Sequence, residues 1–378
     1  MNILGINGAI GWDGNIPMPI DEFGEMWVHG SGATLVVDGE LKNSSCEERY
    51  TRIKYDGNYP KETIKSILRH NKLASEDIDL VVYIGNSCRI NFALKESGYI
   101  TSRIKEYFPN TKVEYLSHHL AHQSATFYTS GYESANIFSF DGAGDHELVN
   151  DRWRVPHFSF GVGNGLEIRE IIKGYCNDPY TFLGAMYGYF AGIAYKSKMG
   201  ITEYMSDGSS GWATKDRETY PGKIMGLASY GDYTKVDLPD AFTLDNSLSM
   251  PVLKNSEEWM NIEKEDLSKI APEDFASWSQ HQFEKHLMAY LRGIPDRIKS
   301  DNLCLGGGCA LNIIANTKII EEGIYKNVHV NTAPSDDGLH FGGALYKSAE
   351  YEEKIILPDN IAYLGVPYTD VDIEAVLC

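Results

Sequence analysis

Apolar residues along this chain fall into short runs broken by glycine-bearing turns, and the runs predict elements. "NILGIN" (2–7) reads as a short buried strand, and "GATLVVDGEL" (32–41) as a hairpin turning at Asp38-Gly39. Helical spacing at Ile64, Ile67 and Leu68, after an initial Pro60, predicts a helix in "PKETIKSILRHNKL". "IDLVVYIG" and "KVEYLSH" are further strands, the second leading directly into a histidine cluster. From Ala135 a second series begins with "ANIFSFDGAGD", "HFSFGVG" and "LEIREII". Phe275, Trp278, Phe283, Leu287, Leu291 and Ile294 keep the spacing of a core helix. "NLCLGGGCALN" and "VHVNTAPSDDGLHFGGALY" share one grammar: strand, tight turn, small-residue helix. Residues 8–31 and 196–222 read as irregular loops. Two series, each with hairpins first and helices later, predict a duplicated α/β fold.

Composition narrows the class. A chain of 378 residues is longer than one ordinary domain, and 43% hydrophobic with 23% charged residues is globular. No Lys or Arg precedes Lys42, so the amino terminus lacks the basic region of a secretory signal. The longest mostly apolar run, "GAMYGYFAGIAY", is too short to span a bilayer. Six cysteines without a CxxC pair fit reduced thiols in a cytoplasm. A formal charge of −19 disfavours broad binding to nucleic-acid phosphates. It leaves room for a nucleotide held by local devices such as glycine turns and a divalent cation.

The chemistry-bearing residues concentrate in "LSHHLAHQSA" (116–125). On a helix, His118 and His122 lie one turn apart on one face, the simplest helical route to two imidazoles on one metal. His119 is rotated away by roughly 100° and cannot join them. A pair of polar surface histidines would show the same spacing. Asp141 ends an apolar strand, at the edge of the sheet where ligands usually sit. Asp336 and Asp337 precede a small-residue helix, where an N-cap is the common role of a lone Asp. Two His plus one or two Asp would leave positions open for substrate oxygen.

"DGAGD" (Asp141, Gly142, Gly144) and "GGGCALN" (Gly306, Gly307, Gly308, Asn312) are turns where backbone amides can approach phosphate or purine, although ordinary tight turns look alike. Neither matches GxxxxGK[ST]. "EERYTRIK" (47–54) offers Arg49, Arg52 and Lys54 to an anion, or is a plain solvated face.

"SHHLAHQSA", "FSFDGAGD", "GKIMGLASYG", "LGGGCALNIIAN" and "APSDDGLHFGGALY" occur in the order seen in O-carbamoyltransferases of the nodulation, tobramycin and cephamycin type. "DGELKNSSCEERYTRIKYDGNYP" resembles their amino-terminal signature, so the resemblance covers essentially residues 1–350. More distantly the chain resembles the tRNA threonylcarbamoyl transferase subunit and the sugar-kinase/actin/Hsp70 superfamily.

That resemblance implies two ribonuclease-H-like lobes, 1–116 and 117–355, with a nucleotide cleft between them. It implies a metal, iron(II) in this family, on His118, His122, Asp141 and Asp336, and adenosine at Gly306–Gly308 and Asn312. ATP with Mg2+, carbamoyl phosphate and carbamoyl adenylate are the implied cofactor and substrates, and a small hydroxylated molecule the acceptor. Arg49, Arg52 and Lys54 would touch the adenylate, and His29 would be the acceptor-side base. His29 sits in "HGSGA", where the family has His-Asp-x-Ala, so Gly30 stands in the Asp position. Residues 356–378 resemble the linker into a YrdC-like domain that makes the adenylate, and the expectation is that this domain is separate. The rival readings are threonylcarbamoyl transfer to tRNA with partner proteins, and a non-catalytic nucleotide-binding regulatory subunit.

Overall fold

A computed structural model describes residues 1–9, 29–85, 95–176, 183–198, 220–245, 250–262, 267, 269–352, 354–368 and 370–377. Most of the two predicted loops, 8–31 and 196–222, lies outside the described residues.

The first sheet contains β1 (Asn2–Asn7), β2 (Gly32–Val37), β3 (Glu40–Cys46), β4 (Leu80–Ile84) and β5 (Lys112–Leu116), in the order β3-β2-β1-β4-β5. Its hairpin strands are antiparallel, whereas β1, β4 and β5 run parallel. The second sheet is built on β6 (Ser134–Phe140), β7 (Glu147–Val149), β8 (Arg152–Asn164), β9 (Glu167–Cys176), β12 (Asn302–Gly306) and β13 (Asn327–Val330). A separate hairpin pairs β10 (Phe242–Asp245) with β11 (Val252–Asn255). Across the second sheet, β9, β8 and β6 are antiparallel, and β6, β12 and β13 are parallel. The order β9-β8-β6-β12-β13 repeats that of the first sheet, element for element. This repeated strand order is the duplicated α/β fold that the two series of runs predict.

Helices cover the apolar faces. On one face of the first sheet lie α1 (Lys61–His70) and α2 (Tyr99–Tyr107), burying Ile64, Ile67, Ile100 and Ile104 against Leu4, Ile6 and Val81. The second sheet packs on α4 (Leu183–Lys198), α5 (Tyr220–Leu227), α6 (Pro272–Arg292) and α7 (Ile313–Glu321), where Phe138 stacks on Tyr290. Among the described residues no helix is long and apolar enough to cross a membrane.

Two helices join the sheets. β5 runs through Ser117 into α3 (His118–Tyr128), which packs on β6 and β12. The chain then returns in α8 (Leu339–Glu352), which packs on β1, β2 and β4 of the first sheet. The two helices meet at Gly342, where a Cβ would lie 1.9 Å from the Ala121 carbonyl oxygen. Only a residue without a side chain lets the helices approach so closely. After α8, residues 354–366 run along the free edge of β3, where the Leu41 and Ser44 amides donate to the Ile356 and Leu364 carbonyls. A last helix, α9 (Asp370–Leu377), is exposed at Val371, Ile373 and Leu377.

Candidate metal and nucleotide site

The contact between α3 and α8 lies beside the carboxyl edges of both parallel strand sets, and the predicted chemistry gathers there. Ser117 is extended, and the helix begins at His118, whose amide donates to Asp145 Oδ2 at 2.9 Å. That carboxylate caps an N-terminal N–H of α3 and so fixes where the histidines start. His118 and His122 then fall on one face, with their Nε2 atoms 3.0 Å apart and both rings buried.

Two carboxylates from distant segments close on the pair. Asp141, just past β6, places Oδ2 3.1 Å from His122 Nε2 and 3.7 Å from His118 Nε2. Asp336, just before α8, places Oδ1 3.5 Å from each. One donor atom from each of the four side chains lies within 4.8 Å of every other. Such a set of two imidazole nitrogens and two carboxylate oxygens suits a divalent first-row metal.

Electrostatics follow the geometry. Burial alone favours a neutral His122 ring, but hydrogen bonds and charge from Asp141 and Asp336 push it up to about 9. Burial would raise Asp141 as well, yet the two histidines hold it well below the usual carboxylate range. His119 faces the other way, as its position on the helix predicts. Its ring nitrogens lie 3.1 Å from Ser139 Oγ and 3.0 Å from the Pro156 carbonyl. Burial, with the charges of His118 and His122, holds it neutral.

The glycine turn after β12 packs directly beneath this group. Gly307 has φ +88°, and a Cβ there would meet the Phe140 carbonyl oxygen at 2.3 Å, so the position requires glycine. Its amide donates to the Pro334 carbonyl at 2.7 Å, two residues before Asp336. The Gly308 amide donates to Asp141 Oδ2 at 2.8 Å. Two amides that sequence reasoning offers to a phosphate are therefore engaged within the protein, Gly308 on the Asp141 carboxylate and Gly307 on the backbone ahead of Asp336. In the other turn, the Gly142 amide donates to Asp141 Oδ1 at 2.6 Å, and the Gly144 amide to the Pro156 carbonyl at 2.7 Å.

Asn312 caps α7 through Ala315 N at 3.1 Å and exchanges two hydrogen bonds with Gln280. Gln280 also donates to Glu284 at 2.7 Å, and Lys318 pairs with Glu284 at 3.1 Å. Beside this network lies an open groove lined by Glu284, Ile313, Ile314, Thr317, Lys318 and Glu321. Sequence reading singled out none of the groove residues. The signal was present in part, because Ile313 and Ile314 begin a helix with apolar side chains that stay exposed.

His29 reaches the group from the first lobe, its Nε2 3.5 Å from Asp336 Oδ2. The basic segment lies farther out. Arg49 is exposed and 3.6 Å from Glu48, while Lys54 sits 5.0 Å over the Tyr55 ring. Tyr55 in turn contacts the His29 ring edge-on at 6.5 Å. Arg49 and Lys54 thus belong to the rim rather than to the four-ligand group, and Arg52 is exposed beside them. Glu47, read as part of a charge run, is buried and accepts the first amides of α1, Glu62 N at 2.9 Å and Thr63 N at 2.8 Å.

The Carbamoyltransferase N-terminus family model matches residues 83–345, more than half of the chain. This chain belongs to the carbamoyltransferase family. Among curated relatives, an uncharacterized protein of Synechocystis sp. is 26% identical over 93% of this chain and 61% of its own length. The nodulation protein NolNO of Sinorhizobium fredii is 25% identical over 93% of this chain and 50% of its own. The chain therefore spans half to three-fifths of the length of these relatives. Among solved structures, full-length HypF in a phosphate- and nucleotide-bound form superposes with a TM-score of 0.52 over 89% of this chain and 46% of that one, at 13% identity. The HypF of T. kodakarensis gives 0.51 over 93% and 48%, at 14% identity. This carbamoyltransferase-family chain thus shares its fold with HypF.

Proposed function

We propose that this chain transfers a carbamoyl group from carbamoyl adenylate to the hydroxyl of a small-molecule acceptor. The observation that carries the reading is the convergence of His118, His122, Asp141 and Asp336 where the two crossover helices meet, in a chain of the carbamoyltransferase family. These four residues would hold a divalent metal. Iron(II) is the choice implied by the family resemblance, and the donor set would also accept zinc or manganese. When bound, such a metal supplies Lewis-acid stabilisation of charge developing on oxygen.

The remaining work falls to the chain's own side chains. Glu284, with Ile313, Ile314 and Lys318, would seat the nucleoside in the open groove, beside the Gly306–Gly308 turn and Asn312. Mg2+ would accompany ATP where the adenylate is made. Arg49 and Lys54, with Arg52, would attract the anionic donor at the rim. The acceptor oxygen would attack the carbamoyl carbon, and the bond from that carbon to the phosphate oxygen would break. AMP leaves with the electron pair, while the hydroxyl proton passes to His29 Nε2.

The mixed anhydride is labile, so its formation from carbamoyl phosphate and ATP would take place in an adjoining YrdC-like domain or chain that passes it on shielded from water. Thiols at Cys46, Cys304 and Cys309 are unpaired, which suits a cytoplasmic setting.

The test is mass spectrometry of small-molecule pools incubated with the protein, carbamoyl phosphate, ATP and a YrdC-like domain. A product heavier by one carbamoyl group, dependent on His122, is expected. Absence of any such product across hydroxylated metabolite pools would refute the reading.

A further inference from the structure

Asn7, the last residue of β1, is fully buried beside the site. Its Nδ2 group donates to the Gly30 carbonyl at 3.1 Å and the Asp336 carbonyl at 3.3 Å, with the His29 carbonyl at 3.5 Å. Because only the nitrogen end can bond carbonyl oxygens, these partners fix the orientation of the amide. Oδ1 is therefore an acceptor, and it is buried with no hydrogen-bond partner among the described residues. Leaving a buried acceptor unpaired costs free energy that a structural amide would not incur, so the atom awaits a donor.

Its neighbours share the condition. Asn7 pairs across the sheet with Gly32. Ser31 precedes Gly32, and its buried Oγ also lacks a partner. The His340 ring lies against Gly32, where a Cβ would come within 2.2 Å of Nε2, and that nitrogen is unpartnered as well. Among the described residues, Asn7, Ser31 and His340, which adjoin Gly32 across the sheet, along the chain and by packing, thus each carry an unsatisfied polar atom. The other ring nitrogen of His340 is satisfied, since Nδ1 lies 2.8 Å from Thr34 Oγ1, which also bonds Ser44 Oγ.

We infer that Asn7 is a specificity-determining residue whose Oδ1 accepts an N–H of the carbamoyl group. The inference rests on the carbamoyl-transfer reading above. A carbamoyl group differs from an acetyl group of nearly the same shape by carrying NH2 in place of CH3, so an orphan acceptor is the feature that separates them. A site built around such an acceptor rejects the analogue that lacks the donor, because the buried oxygen is then left unpaired.

The experiment is calorimetric binding of two matched probes, 5′-O-(N-carbamoylsulfamoyl)adenosine and its N-acetyl counterpart, with AMP as the reference ligand. The wild-type protein is expected to bind the carbamoyl probe at least about tenfold more tightly than the acetyl probe. Asn7→Ala and Asn7→Ser are expected to bring the two within about twofold, with AMP affinity retained. Two results overturn the assignment while leaving the nucleotide reading intact: both probes bind the wild type equally, or the variants keep the wild-type preference. If neither probe binds the wild type, the carbamoyl-adenylate reading and the assignment fall together.

Discussion

At the scale of single residues, His122 carries the most informative charge. Its ring is buried between two carboxylates that push it up to about 9, so at neutral pH the metal-free group holds a proton there. A metal must displace that proton, because an imidazole nitrogen cannot bind both. Metal affinity is therefore expected to rise with pH up to about 9 and to level off beyond it. Calorimetric titration at pH 7 in buffers of different ionisation enthalpy should show proton release that disappears at pH 10. The same raised value sets a stability window for metal-free protein. The contribution is fully present below the ordinary histidine value of 6.5 and is lost as pH rises through about 9. A metal affinity independent of pH between 6.5 and 9 would show that His122 is not a ligand. This residue was legible in the sequence because its partner His118 is four positions away on one helix. Asn7 and Glu47 were not, since what they do depends on Asp336 and on α1, which no local pattern connects to them.

Among the elements, the decisive feature is the contact of α3 with α8. Both histidines ride on the first helix, and Asp336 immediately precedes the second. Gly342 sets how closely the helices approach, since a Cβ there would clash with the Ala121 carbonyl oxygen at 1.9 Å. Gly342→Ala is expected to push the helices apart and to destabilise the protein by about 1–3 kcal/mol, the usual cost of overpacking. It should also lower metal content although it touches no ligand. Denaturant unfolding and metal analysis of the same preparation check both parts. A variant as stable as wild type and fully metallated would mean that the contact does not position the site. Sequence reading found α3 and α8 separately, from histidine spacing and from the small-residue stretch after Asp336-Asp337. Their meeting was hidden, because residues about 220 apart leave no periodic trace of contact.

At the scale of the whole molecule, the same strand order occurs in both sheets, and the contact of α3 with α8 joins them. The duplication was legible because each lobe begins with hairpin strands and ends with parallel ones. The groove was not, since Gln280, Glu284 and Lys318 are ordinary polar residues of amphipathic helices until folding brings them together. AMP or ATP is expected to raise the melting temperature, by an increment that grows with concentration as any ligand of the native state requires. At 1,000 times the dissociation constant the stabilisation is about 4 kcal/mol. Glu284→Ala should weaken that shift by about tenfold in concentration, on the scale of one hydrogen bond to a charged group. An unchanged nucleotide response in Glu284→Ala, followed by differential scanning fluorimetry, would place the nucleoside elsewhere.

Carbamoyl transfer as proposed depends on a metal held by His118, His122, Asp141 and Asp336. Elemental analysis by plasma mass spectrometry, on protein purified without chelator, addresses that directly. The prediction is about one transition-metal ion per chain in the wild type and almost none in a His118→Ala/His122→Ala double variant, because loss of ligands removes most of the affinity. Equal metal content in the two proteins, or no metal in the wild type even after incubation with iron(II), zinc or manganese, would contradict it.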